Sequence, residues 1–246
     1  MNFLSFLSFS AALQANPNSG PIVTDRPDFT ESSLVVPLRS IQLESGLTYE
    51  RTNRQNRALN GPEVLLRFGL AERLELRVGL PNYNRIESTS SSDSEGLDDT
   101  YVGAKIQLGP ICNDIGLALI PAVSIPTGRK GIRSEAWSPE LKVVFSKGLG
   151  IYSLSGMIYA AWIEEDGEKR TPLQTTLSLG IPIKEGLGMF TEYILDVKKD
   201  SEPAHTFHTG FTFQPKPNRQ FDIHFGFGLS PNAPDFFIGA GYSHRF

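Results

Sequence analysis

The end of the chain constrains the fold more than any other stretch. From Asp235 to Phe246 apolar and small residues alternate, and the sequence stops on an aromatic residue without a polar tail. One face carries Phe236, Ile238, Ala240, Tyr242, His244 and Phe246; the other carries Phe237, Gly239, Gly241, Ser243 and Arg245. A terminal strand of a soluble protein usually frays, whereas the last strand of an outer-membrane barrel pairs with the first. We therefore expect a closing strand, with Tyr242 and Phe246 as the insertion signal for the barrel-assembly machinery.

The same period of two recurs along the rest of the chain, as half-buried strands require. Counting the closing strand, it predicts about twelve strands, each near the ~9–11 residues that a tilted strand needs to span a bilayer. The predicted strands are Leu38–Arg51, Glu63–Ala71, Leu74–Leu80, Asp98–Leu108, Asp114–Ile125, Trp137–Lys147, Ile151–Ile163, Thr171–Ile181, Leu187–Val197, His205–Gln214, Arg219–Leu229 and Asp235–Phe246. Between them we expect loops at Thr52–Asn60, Asn84–Gly96, Pro126–Ala136 and Glu164–Arg170.

Composition excludes several other classes of protein. No apolar run of about 18 residues follows the N-terminus, so the chain is not a helical membrane protein. The 23 glycines and 17 prolines favour short strands and tight turns. A net charge of −4 gives no basic footprint for nucleic acid. Cys112 is the only cysteine, so no internal disulfide can form, and we interpret it as a turn residue.

The first part of the chain divides into a leader and a polar segment. Residues 1–15 have the apolar core and small-residue end of a signal peptide, although they contain no Lys or Arg. Residues 16–37 carry several charges and prolines without a clean period, so they lie below the barrel or fold into it. The barrel itself is predicted for residues 38–246. Within the preceding segment, Asp25, Arg26 and Asp28 are candidates for a movable plug.

Alternation alone does not distinguish a membrane barrel from a soluble β-sandwich or a lipocalin-like barrel, which turn the apolar face inward. The terminal Phe246, the short turns on one side with longer loops on the other, and the near absence of cysteine in an exported chain favour the membrane barrel. We therefore predict an all-β fold, a transmembrane antiparallel up-and-down β-barrel of about twelve strands in the bacterial outer membrane, with membrane lipid as its surroundings.

Several short motifs resemble a known family in their order along the chain. They are Thr24–Ser32 (TDRPDFTES), Gln42–Gly46 (QLESG), Gly69–Arg77, Asp99–Lys105 (DTYVGAK) and Pro126–Gly128. Together they are similar to outer-membrane barrels grouped as transporters of the phenol-degradation meta-pathway type, over residues 22 to the end. The resemblance implies an outer-membrane transporter of Gram-negative-type bacteria, without naming a substrate.

If the apolar faces meet lipid, the opposite faces line the interior with charges of both signs. The predicted lumen-lining residues are Glu44, Arg67, Glu75, Arg77, Lys105, Glu140, Lys142, Glu192, Asp222 and His224. Buried charges must pair or be hydrated, so these side chains form either a structural ion-pair network or a constriction that selects permeants by charge.

The expected function is a channel or transporter that passes small solutes, with aromatic or hydrophobic ones included among the candidates. A structural or adhesive barrel without transport is the alternative. We do not expect an enzyme: an outer-membrane lipid hydrolase needs a Ser activated by a His, and Ser243 and His244 fall on opposite faces of one strand. His205 and His208 also point to opposite faces, so no metal site and no cofactor are predicted.

Overall fold

The chain folds into one closed antiparallel sheet. The computed structural model describes residues 20–89, 92–165 and 167–246. Its strands are β1 (Ile41–Arg51), β2 (Asn56–Ala71), β3 (Leu74–Leu80), β4 (Tyr83–Ser88), β5 (Ser94–Leu97), β6 (Thr100–Gln107), β7 (Gly116–Ile125), β8 (Ser138–Leu149), β9 (Tyr152–Ala161), β10 (Ile163–Glu165), β11 (Glu168–Arg170), β12 (Leu173–Lys184), β13 (Leu187–Val197), β14 (Ala204–Lys216), β15 (Arg219–Gly228) and β16 (Phe236–Arg245). A 3₁₀ turn at Cys112–Asp114 lies between β6 and β7, and Cys112 is exposed there.

Twelve of these strands form the barrel: β1, β2, β3, β6, β7, β8, β9 and β12 to β16. Each pairs with its neighbours in sequence, and β1 pairs with both β2 and β16. The closing register runs from Gln42 opposite Arg245 to Arg51 opposite Phe236. The predicted fold class, including the strand that seals the sheet, is therefore confirmed.

Three predicted loops are wrong in part, because strands continue beyond the barrel wall. β2 already begins at Asn56, inside the expected loop Thr52–Asn60. The expected Ser-rich loop contains β4 and β5, a hairpin that pairs with the first part of β2. β10 and β11 form a second small hairpin within the expected charged loop. Polar residues in such hairpins face water on both sides, so the alternation that marks a half-buried strand is missing.

Side chains on the barrel wall follow the predicted inside-out pattern. On β15, Ile223 is 51% exposed and Phe225 46%, whereas His224 between them is 5% exposed. On β2 and β3 the fully buried side chains are charged: Arg67, Glu75 and Arg77. An apolar exterior around a polar interior is the arrangement of a membrane barrel and the reverse of a soluble sandwich.

The two ends of the barrel differ, as expected. Two-residue turns join β2 to β3, β8 to β9, β12 to β13 and β14 to β15 at one end, and longer connections lie at the other. We call these the short-turn end and the long-loop end. Among the described residues, no helix has the length and apolar character needed to cross a membrane.

Lysine in place of Ile223 tests the outward face. Ile223 lies at the middle of β15 on the exposed side. A charged side chain at the bilayer midplane costs about 2–4 kcal/mol, falling to about 0–1 near the interface. We expect Ile223→Lys to lower the unfolding midpoint in phospholipid vesicles, and Leu229→Lys beyond the end of β15 to have little effect. Equal midpoints for the two variants would contradict a lipid-facing surface.

Candidate functional site: the barrel interior

The interior is occupied by the segment that precedes the first strand. This inserted segment, residues 22–37, starts at the short-turn end, where Ile22 N–H donates to Pro217 O at 2.6 Å in the β14–β15 turn. It returns to the same end, where Arg39 N–H donates to Gly69 O just before β1 begins. Ile22 and Val36 are each 2% exposed, so the segment is packed within the barrel rather than below it.

Asp25 is the centre of a buried ion network. Its carboxylate accepts from Arg77 at 2.6 Å and from Lys105 at 2.8 Å, and lies 3.3 Å from Arg67. The three basic residues project from β2, β3 and β6, where alternation turns them inward. Burial alone would raise the pKa of Asp25, but the charges of Arg67, Lys105 and Arg77 outweigh it and hold that pKa well below its usual range.

Arg67 joins this centre to the wall. Its guanidinium forms two parallel bonds to Glu75, both 2.9 Å, and one of 2.8 Å to Glu44 on β1. Such bidentate pairs are the strong form of a charge-assisted hydrogen bond. The same carboxylates also bind the backbone of the inserted segment: Glu44 accepts from Asp25 N–H at 2.9 Å and Glu75 from Val36 N–H at 2.7 Å.

Glu31 extends the network to the other wall. It lies 2.6 Å from Lys142 on β8 and 2.8 Å from Arg77 on β3. Lys142 Nζ also lies 3.6 Å from Glu140 and over the rings of Tyr101 and Tyr159, at 5.8 and 5.6 Å from their centroids. A cation between two aromatic faces is stabilised by their quadrupoles, so this lysine is fixed from three sides.

Arg26 lies in a groove made by two glycines. Gly46 on β1 and Gly241 on β16 stand directly opposite each other, and a Cβ on either would collide with the Arg26 guanidinium. The guanidinium bridges Glu63 on β2 and Asp222 on β15, the latter at 3.3 Å. The side chain therefore crosses the seam at which the barrel closes.

Glu192 on β13 binds the backbone of the inserted segment. It accepts from the backbone N–H groups of Phe29 at 3.0 Å and Thr30 at 2.7 Å. It also contacts His208 Nδ1 at 2.7 Å, and His208 Nε2 lies 3.0 Å from His224 Nδ1. The Phe29 ring stacks edge-on against His208, with centroids 5.4 Å apart.

Asp28 is held differently from Asp25. Its carboxylate accepts from Ser178 Oγ at 2.9 Å, and no basic side chain of the described chain pairs with it. Burial raises the pKa of Asp28 well above its ordinary value, and the neighbouring charge of Glu192 raises it further. The pKa values of the two aspartates of the segment thus shift in opposite directions because their surroundings differ.

All ten residues predicted to line the lumen face the interior. The structure joins Glu44, Arg67, Glu75, Arg77, Lys105, Glu140 and Lys142 in one cluster, and places Glu192 with His224 in a second. Asp222 belongs to the Arg26 bridge. Of the two insertion-signal residues, Tyr242 lies in β16 and packs on Phe221, and Phe246 is 72% exposed just after it.

Among the interior residues absent from the predicted set are Glu31, Glu63 and His208. Glu63 shares its inward parity with Arg67, and His208 pairs with Glu192 across β13 and β14, so alternation could have identified both. Glu31 follows no strand period, and only its position in the folded segment reveals its role.

The remaining histidines lie on the outer face. His205 contacts the hydroxyl of Tyr193 at 2.5 Å, and His244 stacks against Phe246, whereas Ser243 is fully buried inside. Within the described ranges, no group of three or more His, Cys, Asp or Glu residues could hold a metal ion.

A cavity of about 490 Å³ opens above the inserted segment. Asp28, Phe29 and Glu31 of the segment contribute to its lining, together with Glu63, Asp98 and Tyr101 of the wall. Asp98 lies at the entry to β6, where the long-loop end begins. We call this space the vestibule.

A closed barrel of twelve strands with an apolar exterior and a charged interior is an outer-membrane β-barrel of the porin-like kind, and the predicted outer-membrane location is confirmed. The chain belongs to the family described as "Putative MetA-pathway of phenol degradation", whose profile matches residues 24–246. The family expected from the short motifs is thereby confirmed.

Solved structures share the fold at low sequence identity. A COG4313 outer membrane channel from Pseudomonas putida F1 is 15% identical, with 87% of this chain and 98% of that chain covered and a TM-score of 0.69. The NanC porin is 8% identical, with 83% and 98% covered and a TM-score of 0.56. The KdgM porin in complex with disordered oligogalacturonate is 13% identical, with 84% and 99% covered and a TM-score of 0.51. No curated protein matches the sequence.

Glutamine in place of Arg67 tests the importance of the network. It would leave Glu44 and Glu75 buried without their main cationic partner. Breaking a buried ion pair by removing one partner costs about 3–5 kcal/mol. We expect Arg67→Gln to lower the temperature at which the folded, heat-modifiable gel band is lost. Arg73→Gln, in the exposed β2–β3 turn, is the matched control. The same transition temperature in both variants would show that the network contributes nothing to stability.

Proposed function

We propose that the protein is an outer-membrane channel that passes small solutes through its charged interior, with the inserted segment as a movable plug. The main support is that carboxylates of the barrel wall bind the backbone of the inserted segment. The wall carboxylates Glu44, Glu75 and Glu192 bind backbone N–H groups of residues 25–36. The wall therefore presents a polar surface to a segment whose covalent connection to β1 lies at the short-turn end.

The dimensions support a channel with a plug. Eight-stranded barrels are filled by side chains and barrels of 16–18 strands leave an aqueous channel. Twelve strands lie between these limits, so the interior holds more than its own side chains. Here the additional space is taken by residues 22–37 and by the vestibule of about 490 Å³.

The walls favour hydrophilic permeants, since every inward charge would have to be desolvated by a hydrophobic one. The KdgM porin, which shares the fold, is in complex with an oligogalacturonate, a polar solute. Whether aromatic solutes also pass is tested by liposome swelling with neutral, anionic and aromatic compounds of similar size.

A structural barrel without transport is the second candidate, favoured by the pairing of Asp25 with three basic residues. In a structural barrel the inserted segment would stay in the interior, because its departure would leave each buried charge without a partner. Absence of conductance and of swelling for all solutes would support it.

Deleting residues 22–37 tests the plug. The deletion removes Asp25, Arg26 and Glu31 from the interior while all twelve barrel strands remain. We expect single-channel conductance in planar bilayers to rise several-fold, because the freed space fills with water and ions. Heat-modifiable mobility would verify that the deleted form folds. Unchanged conductance in a folded variant would contradict a plug.

A single substitution provides a gentler test of the same idea. Valine at Gly46 would collide with the Arg26 guanidinium and displace it from the closing seam. We expect Gly46→Val to increase conductance or the frequency of opening, because one anchor of the plug is lost. Gly148→Val is the control, since a Cβ at Gly148 meets no atom within 4 Å. Identical channel records for the two variants would mean that Arg26 does not hold the segment in place.

A further inference from the structure

The interior carries more negative than positive charge. In the described part of the chain, ten carboxylates face the interior and six basic side chains oppose them. The carboxylates are Asp25, Asp28, Glu31, Glu44, Glu63, Glu75, Glu140, Glu192, Asp196 and Asp222. The basic residues are Arg26, Arg67, Arg77, Lys105, Lys142 and Arg245.

Each of the six basic side chains already contacts specific carboxylate or carbonyl partners. Arg67, Arg77, Lys105 and Lys142 are bound within the ion network on β2, β3, β6 and β8. Arg26 forms ion pairs with two carboxylates, Glu63 and Asp222. Arg245 lies at the short-turn end, near the carbonyls of Gly20 and Pro21. None of the six is left to balance the remaining carboxylates.

The excess is concentrated at the vestibule. Its lining contains seven carboxylates and three basic side chains. Two of the carboxylates, Asp98 and Asp99, belong to the rim at the long-loop end. Among the described residues, neither pairs with a basic group: Asp98 accepts from Asn82 N–H at 2.6 Å and Asp99 from Ser134 N–H at 2.8 Å. Neutral donors orient these carboxylates without cancelling their charge.

Protonation of Asp28 does not remove the imbalance. Burial and the charge of Glu192 raise the pKa of this residue, so the balance is also counted without it. Without it nine interior carboxylates still face six basic residues, and Asp98 and Asp99 add to them at the rim. A cleft of one sign with low-dielectric walls concentrates the opposite ions, and rings of Asp and Glu make channels cation-selective.

We infer that the permeants of this channel are small cations, admitted through the vestibule between Glu63, Asp98 and Asp99. The inference rests on the proposed channel function and names the class of solute. Inorganic monovalent cations and small organic ammonium ions share the charge that these carboxylates attract, and small anions of equal size are repelled.

The test is the reversal potential of the full-length protein in a planar bilayer under a KCl gradient. We expect a potential of the sign that reports K⁺ passing in preference to Cl⁻, and a larger one at low salt, where screening is weaker. A potential of zero or of the opposite sign, with measurable conductance, would overturn the inference and leave the proposed channel standing. Absence of any conductance would instead overturn the proposed function, and this inference with it.

A pair of double variants locates the selectivity. Asp98→Asn with Asp99→Asn removes two vestibule charges that pair with no basic side chain among the described residues, and we expect the reversal potential to move towards zero. Asp200→Asn with Glu202→Gln removes two exposed charges from the β13–β14 connection at the same end, and should leave the potential unchanged. Equal shifts in both variants would show that the vestibule is not the selective element. Replacing KCl by tetramethylammonium chloride then separates small inorganic from organic cations.

Discussion

The pairing of β1 with β16 is the contact on which the structure depends, because it turns an open sheet into a closed surface with an inside. A lipid bilayer offers no hydrogen-bond partners for a free sheet edge, so closure satisfies the last unpaired backbone groups. Closure also separates the alternating side chains into two sets: one faces lipid and the other faces a confined interior. Each charge on the inner set must then be paired or hydrated inside the barrel.

Those partners come in large part from a segment that belongs to no strand. Asp25 and Glu31 supply carboxylates to Arg67, Arg77, Lys105 and Lys142. In turn, the wall carboxylates of Glu44, Glu75 and Glu192 accept hydrogen bonds from backbone N–H groups of the segment. Because the pairing is reciprocal, the barrel and its contents are matched chemically. The glycine pair at Gly46 and Gly241 shows that the wall is also shaped for this content.

The fold was predictable because it rests on a local signal. Alternation with a period of two identified all twelve barrel strands and assigned each candidate residue to a face. The same signal did not detect β4, β5, β10 and β11, which project beyond the wall and have water on both sides. It turned Arg67, Glu75 and Lys105 inward but could not show that they converge on Asp25, since that contact spans up to 80 residues of sequence.

The sequence by itself therefore determined the barrel, its inside-out polarity and the signs of the charges on its inner face. Only the tertiary structure decided what those charges do. Residues 22–37 have no period, and their place inside the barrel follows from ion pairs and hydrogen bonds with nine of the barrel strands. A period of two is a property of neighbouring residues, whereas the balance of charge in a closed interior is a property of the whole wall. The closing strand that ends at Phe246 could therefore be predicted from neighbouring residues, whereas the anionic vestibule depends on the folded wall as a whole.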